Sequence, residues 1–264
     1  QSARSILVSI LLGNISIVGY FGNYQLVENA AMSLFSQMGG AVTSSFGNLA
    51  TENEKGRMYE TYRKVAFLMN SMAIVICVGY LACIQTFVEF VFGENFVLPF
   101  GSVVFIAFEL LIYLFAIPMV TVQNAMGLHK KDRNQMVIQA VIAIIMGYWG
   151  GRYFGMNGIL IGLLLPYLVF TYIYKGMVVV QHAFGKKKIV FLEQVFVDML
   201  KAGISIVASI FITSLINTNS LMLDFLLKGG CALVISCMLL ALMSFRNIYF
   251  IFYYNAVKKR VRKR

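Results

Sequence analysis

The chain has 264 residues, of which 59% are hydrophobic and 12% are charged, and its formal net charge is +11 at pH 7. Soluble domains carry roughly 25% charged residues, so the apolar excess is too large for one globular core and predicts a membrane protein. Basic residues lie in short clusters between apolar runs, as in membrane-protein loops, and we expect no nucleic-acid partner.

Apolar stretches long enough to cross a bilayer, which takes about 20 residues, recur along the whole chain. They predict an all-α, polytopic membrane helix bundle with about eight transmembrane segments, near residues 1–18, 24–50, 65–92, 99–126, 135–151, 157–181, 196–216 and 222–245. We expect one transmembrane domain over residues 1–245, a basic tail over 246–264, and a longer parent protein whose transmembrane segment is cut at residue 1.

Basic residues mark every second connection between these segments. All but three of the 22 Lys and Arg residues lie in residues 52–64, 127–134, 175–201 and 246–264. Each of the other connections, at residues 93–98, 151–156 and 217–220, contains at most one Lys or Arg residue. The positive-inside rule then predicts that the basic connections and the C-terminus are cytoplasmic. The basic tail fits either a topogenic signal or a contact with anionic lipid.

The predicted 24–50 helix carries small polar residues at helical spacing on one face, namely Gln25, Asn29, Ser33, Ser36, Thr43 and Gly47. The opposite face is predicted to hold Met32, Leu34, Phe35 and Phe46, while Gly39, Gly40 and Ala41 would allow close helix packing. Polar groups are costly in lipid, so this stripe either lines a polar cavity or forms hydrogen bonds between helices.

One carboxylate, Glu109, lies midway along the predicted 99–126 helix, with Tyr113, Thr121 and Asn124 close to its face. Glu109 and Asn124 are therefore candidates for the same cavity. A structural ion pair, or a protonated and hydrogen-bonded Glu109, is the alternative. Asp224 and Lys228 are four residues apart on the last predicted helix, which favours a local ion pair.

The sequence contains no residue spacing that is typical of a catalytic or metal-binding site. The four cysteines lie within apolar runs without a Cys-x-x-Cys pair, and His129 and His182 lie in or beside basic loops. The predicted outer loops are short, whereas a membrane enzyme acting on sugars needs loop residues as acid and base. We expect no enzymatic activity, no catalytic residue, no metal and no cofactor.

Several short motifs occur in a consistent order, at Gly19–Tyr20, Asn23–Tyr24, residues 45–50, residues 125–128, Asp132–Arg133, residues 154–159 and Gly162. Together they resemble polysaccharide (O-antigen-type) flippases of the multidrug/oligosaccharidyl-lipid/polysaccharide exporter superfamily, over residues 1 to about 245. The resemblance implies fourteen helices in two lobes around a central cavity, with alternating access. It also implies that this chain holds the end of helix seven and the second lobe. The chain departs from the family pattern at Ala143, where a polar residue is common, and at Arg4, where an acidic residue is common.

The function that this resemblance implies is the flipping of an undecaprenyl-pyrophosphate-linked oligosaccharide across the bacterial inner membrane, for surface polysaccharide synthesis. The implied partners are the lipid-linked oligosaccharide, membrane lipids and the polysaccharide polymerase machinery. Arg4 is expected near the bilayer centre, where an arginine costs about 2.5–3.5 kcal/mol. It would contact the substrate pyrophosphate or pair with an acidic residue such as Glu109, unless its position is a consequence of the truncated end.

Three alternatives stay open. A drug or cation exporter of the same superfamily would use an ion-coupling carboxylate, for which Glu109 is the candidate. A membrane glycan polymerase or acyltransferase would need a catalytic set on a loop. A half-size subunit would pair with another chain.

Overall fold

The computed structural model describes residue 9 and residues 15–52, 54–131, 133–218 and 220–261. Over these ranges the chain is helical and contains no strand, which confirms the all-α prediction. The helices are α1 (Ile15–Thr51), α2 (Lys55–Phe92), α3 (Phe100–Ala125), α4 (Arg133–Pro166), a π-helical segment (Tyr167–Tyr174), α5 (Lys175–Phe184), α6 (Lys188–Ser214), α7 (Leu221–Ser244) and α8 (Ile248–Val261).

Within the described ranges, five helical stretches are long and apolar enough to cross a bilayer, which indicates a membrane protein. They are Lys55–Phe92, Phe100–Met126, Asn134–Phe184, Lys188–Ser214 and Leu221–Ser244. Helix α1 has 37 residues but does not belong to this apolar group. The predicted span at 24–50 therefore forms a helix of sufficient length that is less apolar than the other five. The predicted segment at 1–18 falls largely outside the described residues.

The stretch Asn134–Phe184 has 51 residues and folds back on itself as a helical hairpin. The reversal occurs at Gly155, whose φ of 59° and ψ of −139° are not helical and suit a residue without a Cβ. A Cβ added to Gly150 would overlap the Gly158 carbonyl, and one added to Gly162 would overlap the Met146 backbone. The two arms are therefore packed backbone to backbone, in agreement with separate predicted segments at 135–151 and 157–181.

We predict that Gly158→Ala destabilises this hairpin, because the new methyl group would overlap the Gly150 carbonyl and force the two arms apart. Overpacking of this kind costs roughly 1–3 kcal/mol. Thermal unfolding of the detergent-purified protein should show a lower midpoint. Gly203→Ala in α6 is the matched control, because nothing lies within 4 Å of an added Cβ there. Equal midpoints for the two variants would contradict the close packing.

The core of the bundle is formed by α2 and α3, whose buried side chains include Met58, Met69, Ile74, Ile106, Leu110 and Leu111. Helix α1 packs on α3 at Gly39, where an added Cβ would lie 2.7 Å from Thr121 Oγ1 and 2.9 Å from Ile117 Cγ2. This confirms the predicted close packing for Gly39, while Gly40 and Ala41 are exposed. Large apolar side chains of α6 and α7 are exposed, as expected of surfaces that face lipid.

Three of the four basic regions meet at one end of the bundle, which we call the basic end. The Arg63 guanidinium donates to Gln194 Oε1 at 2.8 Å, and the Tyr253 hydroxyl donates to the Lys64 carbonyl at 3.1 Å. Residues 52–64, residues 182–195 and the C-terminal helix are therefore neighbours.

At the opposite end of the bundle, uncharged residues form the contacts between neighbouring helices. The Leu98 amide donates to the Tyr24 hydroxyl at 3.0 Å, and the Ser102 hydroxyl donates to Asn157 Oδ1 at 2.7 Å. Two residues counted with the basic connections, Lys175 and Lys201, lie inside α5 and α6 and are buried, so they are not loop residues.

We predict that the basic end is cytoplasmic. In a background without the native cysteines, single cysteines at Gly56 and Lys187, both exposed, should react with a membrane-impermeant thiol reagent only after the cells are opened. A cysteine at Arg152, which is exposed in the 151–156 connection, should react in intact cells. The reverse pattern would invert the topology.

Candidate functional site

A cavity of about 480 Å³ lies between α1, α3 and the start of the π-helical segment. Its lining is a mixture of small polar, acidic and phenolic side chains with one methionine. The lining residues are Asn29, Met32, Ser33, Ser36, Glu109, Tyr113 and Tyr167. The structure therefore brings together four of the residues predicted for a substrate cavity, from two helices that are far apart in sequence.

Helix α1 supplies most of this lining because of how it packs. Its buried side carries Phe21, Tyr24, Glu28, Phe35, Gly39 and Phe46, which face the rest of the bundle. The polar stripe begins at the edge of that side and continues onto the exposed face, which also carries Gln37, Ser44 and Asn48. The exposed face of α1 is therefore mainly polar or small, unlike those of α6 and α7.

The prediction for the opposite face of α1 was partly wrong. Phe35 and Phe46 are fully buried, as expected, but Met32 lines the cavity and Leu34 is 49% exposed. The physical reason is that α1 contacts the bundle through the side that carries Glu28 and Gly39. Met32 lies at one edge of this side and Leu34 lies beyond the other edge.

Glu109 is partly buried and lies one helical turn before Tyr113 on α3, and Tyr167 joins them in the same cavity lining. This arrangement can accept hydrogen bonds through a carboxylate and can donate or accept them through two phenols. Such groups suit the hydroxyls of a sugar, and the carboxylate also suits a cation. Over the described ranges, no group of three His, Cys, Asp or Glu side chains is placed to hold a metal ion.

The other predicted site residues lie elsewhere. Gln25 is partly buried one turn before Asn29, and its Nε2 has no hydrogen-bond partner among the described residues. The Thr43 hydroxyl donates to the Gly39 carbonyl of its own helix at 3.0 Å. Asn124 is exposed near the end of α3. Arg4 lies outside the described residues, as does Asp132 of the sequence motifs.

Sequence reasoning missed two sets of polar residues in the helices. Glu28 is fully buried on α1, next in sequence to the cavity residue Asn29. Asn70 on α2 donates to the Asp198 carboxylate on α6 at 2.8 Å, close to the buried Lys201. The signal for both was an amide or charged residue inside an apolar stretch, which is costly unless it is compensated. The predicted Asp224–Lys228 ion pair on α7 is confirmed.

No protein-family model, curated protein or solved structure matches this chain. The flippase resemblance therefore stays a prediction, and the geometry of the cavity is the basis for a functional proposal.

We predict that the polar stripe of α1 faces water. Single cysteines at Asn29, Ser33 and Ser36 should react with a charged thiol reagent, because thiolate formation requires an aqueous environment. Cysteine at Phe35, which is fully buried, should stay unreactive. The sharper control is Val207 on α6, which is 69% exposed but has an apolar surrounding that is expected to face lipid. Equal reactivity at Ser33 and Val207 would contradict a water-lined stripe.

Proposed function

We propose that this chain belongs to a membrane transporter that moves the headgroup of a lipid-linked oligosaccharide across the bilayer, while the lipid tail stays in the hydrocarbon. The observation that carries the proposal is the polar, exposed face of α1, which continues from the cavity between α1 and α3. The proposed setting is the bacterial inner membrane, with the basic end in the cytoplasm and no enzymatic step.

The polar face of α1 restricts what can lie against it. Hydrocarbon offers no hydrogen bonds, so a row of exposed amides and hydroxyls at membrane depth requires water, substrate or another protein surface. Glycine and serine recur along the same face, which leaves room for a bulky group to pass close to the backbone. A sugar headgroup combines these needs, because it is bulky and carries many hydroxyls.

The composition of the cavity supports a hydroxyl-rich ligand. Asn29, Ser33 and Ser36 provide uncharged donors and acceptors on one wall, and Tyr113 and Tyr167 provide rings with polar tips on the other. A volume of about 480 Å³ is within the range of small-molecule sites, roughly 300–1,000 Å³. This volume fits part of an oligosaccharide at a time, as stepwise passage through a transporter would require.

A second candidate is export of a drug or cation. Glu109 lies in the same cavity as Tyr113 and Tyr167, and a carboxylate beside aromatic rings suits an organic cation. In this alternative Glu109 is indispensable and the stripe on α1 is less important. In oligosaccharide transport the stripe is indispensable, and Glu109 contributes one hydrogen-bond acceptor among several.

The two functions predict different effects of two substitutions. Ser33→Trp fills the cavity, so for oligosaccharide transport we expect a severalfold loss of surface polysaccharide and accumulation of the lipid-linked precursor. Glu109→Gln keeps the shape and should reduce export less. The measurement is surface polysaccharide in cells whose export depends on this protein, at matched expression. Val207→Trp, at an exposed apolar position of α6, is the control for adding a tryptophan.

The opposite result would favour the alternative. Export of an organic cation that is abolished by Glu109→Gln, together with normal surface polysaccharide in Ser33→Trp, would replace the oligosaccharide by a cation as substrate.

A further inference from the structure

Helix α8 (Ile248–Val261) is separated from α7 by a tight turn at the basic end. The Asn247 amide donates to the Ser244 carbonyl at 2.8 Å, and the Asn247 side-chain oxygen accepts a hydrogen bond from the Tyr249 amide at 2.9 Å, as an N-cap does. The helix has 14 residues and is therefore about 21 Å long, which is too short for a hydrocarbon core of about 30 Å. Within its described length, α8 does not cross the membrane.

The first half of α8 packs against α2. The Arg63 guanidinium lies over the Tyr249 ring, 5.4 Å from its centroid, and Lys64 Nζ lies 4.6 Å from the centroid of the Phe252 ring. The Tyr253 hydroxyl donates to the Lys64 carbonyl at 3.1 Å. These contacts fix the start of α8 to a helix that is long and apolar enough to span the bilayer.

A polar pocket of about 390 Å³ lies beside these contacts, between α2, α6 and the turn before α8. Arg63 and Lys201 line it together with Asp198, which interacts electrostatically with both cations. The Lys201 ammonium also donates to the Ser244 hydroxyl at 3.1 Å and lies over the Phe67 ring. Because its charges are compensated within the chain, the pocket implies no ligand and holds the turn before α8 in place.

The second half of α8 leaves the bundle. Residues 254–259 are all exposed, and among them Tyr254 is 59% and Val257 is 62% exposed. A helix shorter than about 12–15 residues is marginal in water, because most helical stability in proteins comes from packing. Among the described residues no such packing covers the apolar side chains of this half, so another surface is required.

A groove under α8 shows which side of the helix points toward the bilayer. Phe250 lines this apolar groove with Met72 and Val75, which lie deeper along α2 than the residues that hold α8. Tyr254 and Val257 follow Phe250 by four and seven residues, so they lie on the same side of the helix. We call this the apolar side of α8, and it faces the hydrocarbon of the leaflet at the basic end.

The opposite side of α8 becomes polar in its second half. Asn255 and Lys259 lie four residues apart on it and are exposed, after Ile248 and Phe252 in the first two turns. Lys258 lies near the end of the helix, from where its long side chain can reach the headgroups. A short helix with tyrosine and valine on one side, and an amide and lysine on the other, fits a membrane interface.

We propose that α8 is an interfacial helix that binds the surface of the leaflet at the basic end. Tyr254 and Val257 lie at the boundary between headgroups and acyl chains, and Lys258 and Lys259 lie among the lipid phosphates. The bilayer supplies the packing that the bundle does not give to the second half of α8. Since the first half is fixed to α2, this contact also sets the depth of the basic end. The inference does not depend on the proposed transport function.

The test uses single nitroxide spin labels on α8, in protein without the native cysteines that is reconstituted in phospholipid nanodiscs. Molecular oxygen concentrates in hydrocarbon and a nickel chelate stays in water, so the ratio of the two collision rates reports immersion. We expect a severalfold higher oxygen-to-nickel ratio at Tyr254 and Val257 than at Asn255 and Lys259. Labels at Val207, exposed on α6, and at residue 187, exposed in a basic connection, supply the lipid and water references.

Two variants that add the same charge to opposite sides of α8 form a matched pair. Val257→Asp places a carboxylate at the hydrocarbon boundary, where a charge is costly. With the label at Tyr254, this variant should lower the oxygen-to-nickel ratio toward the water reference. Asn255→Asp adds its carboxylate on the polar side and should leave that ratio unchanged.

Three outcomes would overturn the proposal. Ratios equal to the water reference at all four labelled positions would show that the second half of α8 projects into water. Low collision rates with both probes at Tyr254 and Val257 would show that a protein surface, such as a second copy of this chain, covers them. An equal response to Val257→Asp and Asn255→Asp would show that α8 has no side that faces the bilayer.

Discussion

A polar side chain at membrane depth can be satisfied by water or protein but not by hydrocarbon, and this constraint organises the surface of the bundle. Most of its exposed positions on α6 and α7 are apolar, such as Val207, Phe211 and Leu242. Helix α1 differs, since amides, hydroxyls and glycines occupy much of its exposed face. The surface is thereby divided into a part that lipid can cover and a part that requires water, substrate or protein.

The cavity depends on the same constraint, because it brings polar groups of α1 and α3 to one place. The hairpin of Asn134–Phe184 completes it. Its arms pack tightly at Gly150 and Gly158, and the chain then passes Pro166, which lacks a backbone N–H, into the π-helical segment. Tyr167, the first residue of that segment, reaches the cavity that Glu109 and Tyr113 line.

The two polar sites differ in what compensates their charges. In the cavity between α1 and α3, most of the lining is neutral and can be hydrated, which suits a ligand that must enter and leave. At the basic end, Lys201 is buried, its Nζ donates to the Ser244 hydroxyl and lies over the Phe67 ring, and Asp198 lines the same pocket, so its charge is compensated within the chain. The first site is the basis of the transport proposal, and the two sites share no residue.

The sequence by itself determined the helical class and most helix positions, because spans of apolar residues and alternating basic connections depend only on local composition. It also indicated Asn29, Ser33, Ser36 and Glu109, since polar residues inside apolar helices are costly wherever they lie. It could not show which of these side chains share a cavity. Met32 and Leu34 were misplaced because the side that a helix buries depends on its neighbours.

Only the tertiary structure decided those contacts. The approach of α1 to α3 at Gly39 turns the stripe toward Glu109, and the packing of α2 on α6 pairs Asn70 with Asp198, 128 residues away. A single sequence does not show that two residues this far apart are in contact. Helical periodicity gives the faces of each helix, but the partner of each face is set by the packing of the whole bundle.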